Sequence, residues 1–113
     1  MSITKKHVAT YFSALVNASP KTQEEIAKEA GFDSTNTISM IKTGRTKLPL
    51  ARIPALSKAL GSDPKEMLAI CLEAYQPELA GVLAAIAPSM LISSQELRLV
   101  QSLRTAARVG VLK

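Results

Sequence analysis

The chain has no tryptophan, and aromatic residues make up only 4% of its 113 residues. This shortage favours packing of aliphatic side chains between helices over a β-sandwich. Hydrophobic residues nevertheless make up 47% of the chain, a value typical of globular proteins. At this length we expect one domain of ordinary size with an appendage, built entirely from α-helices.

Cysteine and histidine each occur once, as Cys71 and His7. A single cysteine cannot form an intramolecular disulfide, and nothing points to an oxidising compartment. Cys71 falls at helical spacing with Leu68, Leu72 and Tyr75, so we expect it to be a small buried apolar residue. A zinc site needs about four clustered ligands, and no such cluster is visible. Because a catalytic triad, paired catalytic carboxylates and a phosphate loop are also missing, we expect no cofactor, no metal and no enzyme.

Long hydrophobic runs are missing too. The longest uncharged run, Leu79 to Gln95, contains Pro88 and falls short of the roughly 20 apolar residues of a membrane span. Near the N-terminus, Lys5 and Lys6 are not followed by the apolar core of a signal peptide. We therefore expect a cytoplasmic protein.

Acidic residues are absent between Ser34 and Ser62, although this stretch contains five bases. Residues 1–60 carry nine Lys or Arg against four acids, whereas residues 61–113 carry five of each, so the whole net charge of +5 lies in the first part. Such a surface suits a polyanionic partner. The alternative is a basic face that serves only solubility.

Residues 22–45 carry the clearest local signals, beginning with a short helix. Thr22 and Glu25 form a capping box, in which each side chain accepts a backbone N–H that the new helix leaves unpaired. Gly31 can adopt the left-handed conformation that often ends a helix, and Phe32 is placed to fold back onto the preceding turn.

A second short helix is expected to begin near Ser34 after a tight turn, with either Asp33 or Ser34 as its cap, and to end before Gly44. Ile38 and Ile41 share its inward face. Its outward polar residues are Thr35, Asn36, Ser39 and Lys42.

Three further helices are predicted around this pair. One runs from Thr4 to about Ala18. Another follows a basic loop and ends at Leu60; it either begins late, with Pro54 in its first turn, or is irregular before Pro54. The third begins after Asp63 and closes the unit near Tyr75.

The tail from residue 76 to 113 differs in character. A helix rich in Ala, Leu and Val is predicted from Glu78 to Ala87, ended by Pro88. Another capping box opens an amphipathic helix from Ser93 to about Arg108.

In order, TQEEIAKEAG, a turn, NTISMIKTGRTKLP and a helix ending KALGSDPKEML resemble the helix-turn-helix domain of the lambda repressor and Cro family, also called the XRE or Cro/C1-type family. The landmarks are Gln23, Ala27, Gly31, Ile38-Ser39, Gly44, Leu60-Gly61 and Asp63-Pro64. The resemblance covers residues 5–75. It implies a five-helix lambda repressor-like DNA-binding domain at residues 1–75, followed by a helical C-terminal extension at residues 76–113.

The function that this resemblance implies is sequence-specific regulation of transcription. The chain would be a repressor that binds a palindromic operator as a homodimer, with the second helix of the pair in the major groove of double-stranded DNA. One feature departs from the family pattern, because the spacing of seven from Gly31 to Ile38 is one residue longer than usual. If Ser34 is the cap, Thr35 and Asn36 take the first two helical positions; if Asp33 is the cap, the contact assignments shift by one.

The resemblance also assigns site residues. The base contacts would come from Thr35, Asn36, Ser39 and Met40, and the phosphate contacts from Gln23, Lys42, Thr43, Arg45 and Lys47. Other roles remain open for several of them. Asn36 could serve only as a capping or turn residue, Ser39 could bond back to its own helix, and Met40 could belong partly to the core. The three bases could serve only solubility.

The tail is the candidate dimer surface, since its apolar area exceeds what the flank of so small a domain needs. The residues concerned are Leu79, Val82, Leu83, Ile86, Met90, Leu91 and Ile92. The alternative is that this segment packs on its own domain. A different class of function is also open: an antitoxin or adaptor whose tail binds a protein partner and whose DNA binding is secondary.

Overall fold

The computed structural model describes residues 3–87, and every regular element within that range is helical. The α-helices are α1 (Lys5–Ala18), α2 (Gln23–Ala30), α3 (Asn36–Lys42), α4 (Ile53–Leu60), α5 (Pro64–Tyr75) and α6 (Pro77–Ile86), with a 3-10 turn at Leu50–Arg52. The expectation of an all-α fold is confirmed for these residues. The predicted stop at Pro88 and the predicted helix from Ser93 to Arg108 lie outside the described range. In residues 3–87, each helix is too short or too polar to cross a membrane.

One hydrophobic core joins the first five helices. In it, α2 packs against α3 and α4, while α5 packs against α1 and α4, and α1 also contacts α3. Its fully buried side chains include Phe12, Ile26, Ile38, Leu56, Met67 and Ile70. Burial of a side chain of this size contributes about 1.5–3 kcal/mol. Helices as short as α2 and α3 are marginal alone, so this packing is what stabilises them.

The predicted boundaries of α2 are confirmed. The Glu25 carboxylate accepts the Thr22 N–H at 2.9 Å, and the Thr22 hydroxyl accepts the Glu25 N–H at 3.1 Å. The bond from the Thr22 N–H lowers the pKa of Glu25, because it favours the ionised carboxylate. At the other end Gly31 has φ +81°, and the Phe32 N–H donates to the Ala27 carbonyl at 2.9 Å.

The structure distinguishes the two caps considered for α3. The Ser34 hydroxyl accepts the Asn36 N–H at 3.2 Å, as a cap does, and Thr35 already has helical angles of φ −59° and ψ −32°. Ser34 therefore does the capping rather than Asp33. Regular helical hydrogen bonding begins at Asn36, slightly later than predicted, and the helix ends before Gly44 at φ +80°, as predicted.

Both alternatives considered for Pro54 are present together. The 3-10 turn Leu50–Arg52 supplies the irregular stretch, and Pro54 then lies in the first turn of α4, where its missing N–H costs little. The start of α5 is as predicted, with the Asp63 carboxylate accepting the Lys65 N–H at 2.9 Å. Cys71 is fully buried in α5, also as predicted, and burial raises the pKa of its thiol to about 12.

Lys21 ties three parts of the fold together. Its ammonium lies 2.8 Å from the Glu29 carboxylate on α2 and donates to the Ala59 carbonyl of α4 at 2.8 Å. The carbonyls in the last turn of a helix have no partner within the helix, so a lysine there is stabilising. Local sequence patterns gave no sign of this contact.

The final described helix, α6, packs on α5. Its bounds lie within one residue of the predicted helix Glu78 to Ala87. Ala80 is buried, whereas Leu79, Val82 and Ile86 are 41%, 49% and 75% exposed. Because these three residues recur at i, i+3 and i+7, they form one apolar face that the described residues leave uncovered.

Candidate nucleic-acid interface

The helix α3 is held by its apolar side and presents its polar side. Ile38 and Ile41 are buried in the core, so the rotation of the helix about its axis is fixed. Asn36 at the helix start is exposed, as is Thr35 just before it, and Met40 is half-buried. The Asn36 side-chain amide lies 3.5 Å from the Met40 sulfur, placing these two side chains side by side. Met40 thus contributes partly to packing while part of it stays accessible.

A hydrogen bond links the two helices of the pair. The Ser39 hydroxyl donates to the Gln23 side-chain oxygen at 2.9 Å, and both residues are half-buried. The alternative in which Ser39 bonds back to its own helix is therefore not the arrangement found. Gln23 is the first residue of α2, so this bond ties the middle of α3 to the start of α2. The Ser39 oxygen keeps lone pairs with which it can accept a further bond.

The C-terminal end of α3 is anchored as well. The Ser13 hydroxyl of α1 donates to the Lys42 carbonyl at 2.9 Å, while the Thr43 hydroxyl donates to the Met40 carbonyl at 3.2 Å. The Arg45 N–H also donates to the Met40 carbonyl, at 2.9 Å. These bonds fix the backbone that carries the exposed side chains of Thr43 and Arg45.

The basic loop, residues 45–49, is held in place by contacts with Tyr75 of α5. The Lys47 ammonium lies 5.3 Å from the centre of the Tyr75 ring, and the Leu48 N–H donates to the Tyr75 hydroxyl oxygen at 3.0 Å. Burial raises the pKa of Tyr75, because it disfavours the charged phenolate. Sequence reasoning used Tyr75 only as the end of the fifth helix and missed this role, because a separation of 27 residues leaves no local signal.

Arg52 is a second residue that sequence reasoning missed. Its guanidinium carbon lies 5.8 Å from the centre of the Phe32 ring, within cation–π range. A Cβ atom at Gly31 would come within 3.0 Å of the Arg52 side chain, so the guanidinium lies against the turn between α2 and α3. The only sequence signal for a role of Arg52 was its position in the stretch without acidic residues. Arg52 adds an exposed positive charge beside the turn that precedes α3.

Charged side chains are unevenly distributed over this surface. The α3 side contains Lys42, Arg45 and Lys47 in a stretch without acids, whereas Gln23 is followed directly by the exposed carboxylates Glu24 and Glu25. Three positive side chains therefore lie along α3 and the basic loop, where they can attract an anion. At Gln23 the positive end of the α2 helix dipole is countered by these two carboxylates.

The candidate dimer surface is only partly covered by the described residues. Of the candidate dimer surface, Leu79, Val82 and Ile86 are exposed and Leu83 is half-buried, while Met90, Leu91 and Ile92 lie outside the described range. Within residues 3–87 no three His, Cys, Asp or Glu side chains lie close enough together to hold a metal ion. Comparison of the chain with protein-family models, curated proteins and solved structures found no match.

Proposed function

We propose that this chain is a sequence-specific DNA-binding regulator of transcription, a repressor with a five-helix lambda repressor-like domain of the XRE family at residues 1–75, acting in the cytoplasm. The observation that carries the proposal is the presentation of α3. Its start exposes Thr35 and Asn36, its other side is locked by buried Ile38 and Ile41, and bases follow it without an intervening acid. The sequence resemblance to that family, which rests on the same residues, supports the same proposal.

In this proposal α3 lies in the major groove with its first residues toward base edges. Asn36 is exposed and can make a bidentate contact to adenine, a pair that contributes about 1–3 kcal/mol of discrimination against a wrong base. The methyl groups of Thr35 and Met40 can meet thymine methyls. Ser39 can accept a hydrogen bond from a base through its remaining lone pairs, because its own hydrogen is already donated to Gln23.

The phosphate backbone would be held on both sides of α3. Lys42, Thr43, Arg45 and Lys47 follow one another along the positive side of the surface. Such contacts set the register and the salt dependence of binding but do not identify a base. Gln23, with two carboxylates beside it, would contribute through its neutral amide rather than through charge.

A homodimer on a palindromic site completes the proposal. One short reading helix gives little specific area, and pairing on half-sites about one helical turn apart is the usual remedy. The exposed apolar face of α6 supports this, because isolated apolar side chains are common on surfaces but an aligned set is not.

The same apolar face also favours a second candidate, an antitoxin or adaptor whose tail binds a different protein. The two candidates differ in what covers α6 in solution. A purified chain that is monomeric alone and dimerises only with another protein would favour the second. No catalytic role is proposed.

The test is selection from a pool of random duplexes, carried out with the full chain at a stated salt concentration. We expect an enriched motif with two inverted half-sites. Binding without an enriched motif, weakened only by added salt, would contradict sequence-specific regulation, because it is the behaviour of phosphate contacts alone.

A further inference from the structure

Tyr75 touches the basic loop at two points. Its hydroxyl oxygen accepts the Leu48 N–H at 3.0 Å, and its ring lies 5.3 Å from the Lys47 ammonium. One contact fixes the backbone and the other a side chain. Because Tyr75 is the last residue of α5, the loop is tied to a core helix and not only to α3, which precedes it.

The backbone contact matters because Leu48 is an anchor of the loop. The Leu48 side chain is only 1% exposed, so the chain enters the core immediately after Lys47. A backbone N–H beside a buried side chain needs a partner, and here the Tyr75 hydroxyl supplies it. Without that hydroxyl the N–H loses this partner, and the loop loses its backbone tie to α5.

The side-chain contact restricts Lys47 without using up its charge. A lysine is long and flexible, and ordering it on binding costs entropy. A ring within about 6 Å attracts the ammonium through its π face. The three N–H donors of the ammonium stay free to meet a phosphate.

We propose that Tyr75 is a positioning residue for DNA binding: it presets the basic loop, so that the Lys47 ammonium meets a phosphate without first having to be ordered. The proposal rests on the proposed function, since it names how part of the same surface is prepared. Tyr75 itself does not touch the DNA.

The experiment uses the full chain and the variants Tyr75→Phe and Tyr75→Leu. Amide hydrogen exchange is followed by NMR at Leu48, with the core amide of Ile70 as internal reference. Affinity for a short mixed-sequence duplex is measured at several salt concentrations. Tyr11→Phe, which removes a hydroxyl from a buried tyrosine of α1, is the matched control.

In Tyr75→Phe we expect exchange at Leu48 to be about tenfold faster relative to Ile70, because one neutral hydrogen bond is lost. DNA affinity should fall about two- to fivefold, because only part of the free energy of that bond contributes to binding. The salt slope should not change, because Lys47 is still present. The DNA affinity of Tyr75→Leu should fall further, because this variant also loses the ring that contacts Lys47. Lys47→Ala should lower the salt slope by about 0.9.

Three results would overturn the inference: native exchange at Leu48 in Tyr75→Phe, equal acceleration at Leu48 and Ile70, or native DNA affinity in Tyr75→Phe despite faster exchange at Leu48. If the native chain and Lys47→Ala behave as expected while the Tyr75 variants bind like the native chain, this inference alone fails. A native chain that binds no duplex at low salt would overturn the proposed function, and this inference with it.

Discussion

The bond between Ser39 and Gln23 links two helices of the candidate interface that also pack in the core, and its coupling energy can be measured. The donor and acceptor lie 2.9 Å apart, and both residues are half-buried. A neutral hydrogen bond contributes about 0.5–1.5 kcal/mol net. Because water can reach half-buried groups once the bond is broken, we expect a coupling of about 0.5–1 kcal/mol.

Single substitutions would hide this value. Ser39→Ala loses the bond but gains helix propensity of about 0.5 kcal/mol in α3, so its net effect on stability is small. A double-mutant cycle with Ser39→Ala and Gln23→Ala removes such terms. The free energy of unfolding is measured by urea titration, with equal m-values as the condition for comparison.

The matched control cycle pairs Gln23→Ala with Thr43→Ala. The Thr43 hydroxyl donates to its own helix at the Met40 carbonyl, so no coupling to Gln23 is expected. A direct bond is refuted if the losses of stability in Ser39→Ala and Gln23→Ala add to within about 0.3 kcal/mol, as they do for independent sites. Equal coupling in both cycles would refute it too.

Two further predictions follow from burial and from exposure. Burial raises the pKa of Cys71 to about 12, so the unfolded thiol, with its ordinary value near 9.0, ionises first. The free energy of unfolding should therefore decrease between these two pH values, and less steeply in Cys71→Ala; parallel curves would contradict this. If the proposed homodimer forms through α6, Val82→Glu should convert it to a monomer in size-exclusion chromatography with light scattering, whereas Ala84→Glu should not. A Val82→Glu dimer would exclude this face as the dimer surface.

Sequence signals predicted much of the fold because they act within a few residues. Thr22 and Glu25 are three residues apart, and Gly31 ends its helix through its own backbone angles. Both the capping box and the helix end can therefore be predicted from the local sequence. The i, i+3 spacing of Ile38 and Ile41 predicted that both face the core. Even the choice of cap for α3 was reduced to two adjacent residues, of which Ser34 proved to be the one.

The contacts that prepare the candidate site lie beyond such reasoning. Ser39 meets Gln23 across 16 residues, Ser13 meets the Lys42 carbonyl across 29, and Tyr75 meets Leu48 across 27. Each depends on how helices cross, which periodicity does not specify. Sequence patterns therefore predicted that Thr35 and Asn36 are exposed, but they did not predict Arg52 or the side chains that hold this surface in place.

The base-specificity profile of Asn36→Ala, measured by competition among duplexes that differ at each position of the selected site, tests the central claim most directly. If the start of α3 reads bases, this variant should lose its preference at one position in each half-site, by about 1–3 kcal/mol. Its salt slope should stay native, because no phosphate contact is lost. A profile identical to that of the native chain, or a uniform loss at every position, would contradict the assignment of this surface to base reading.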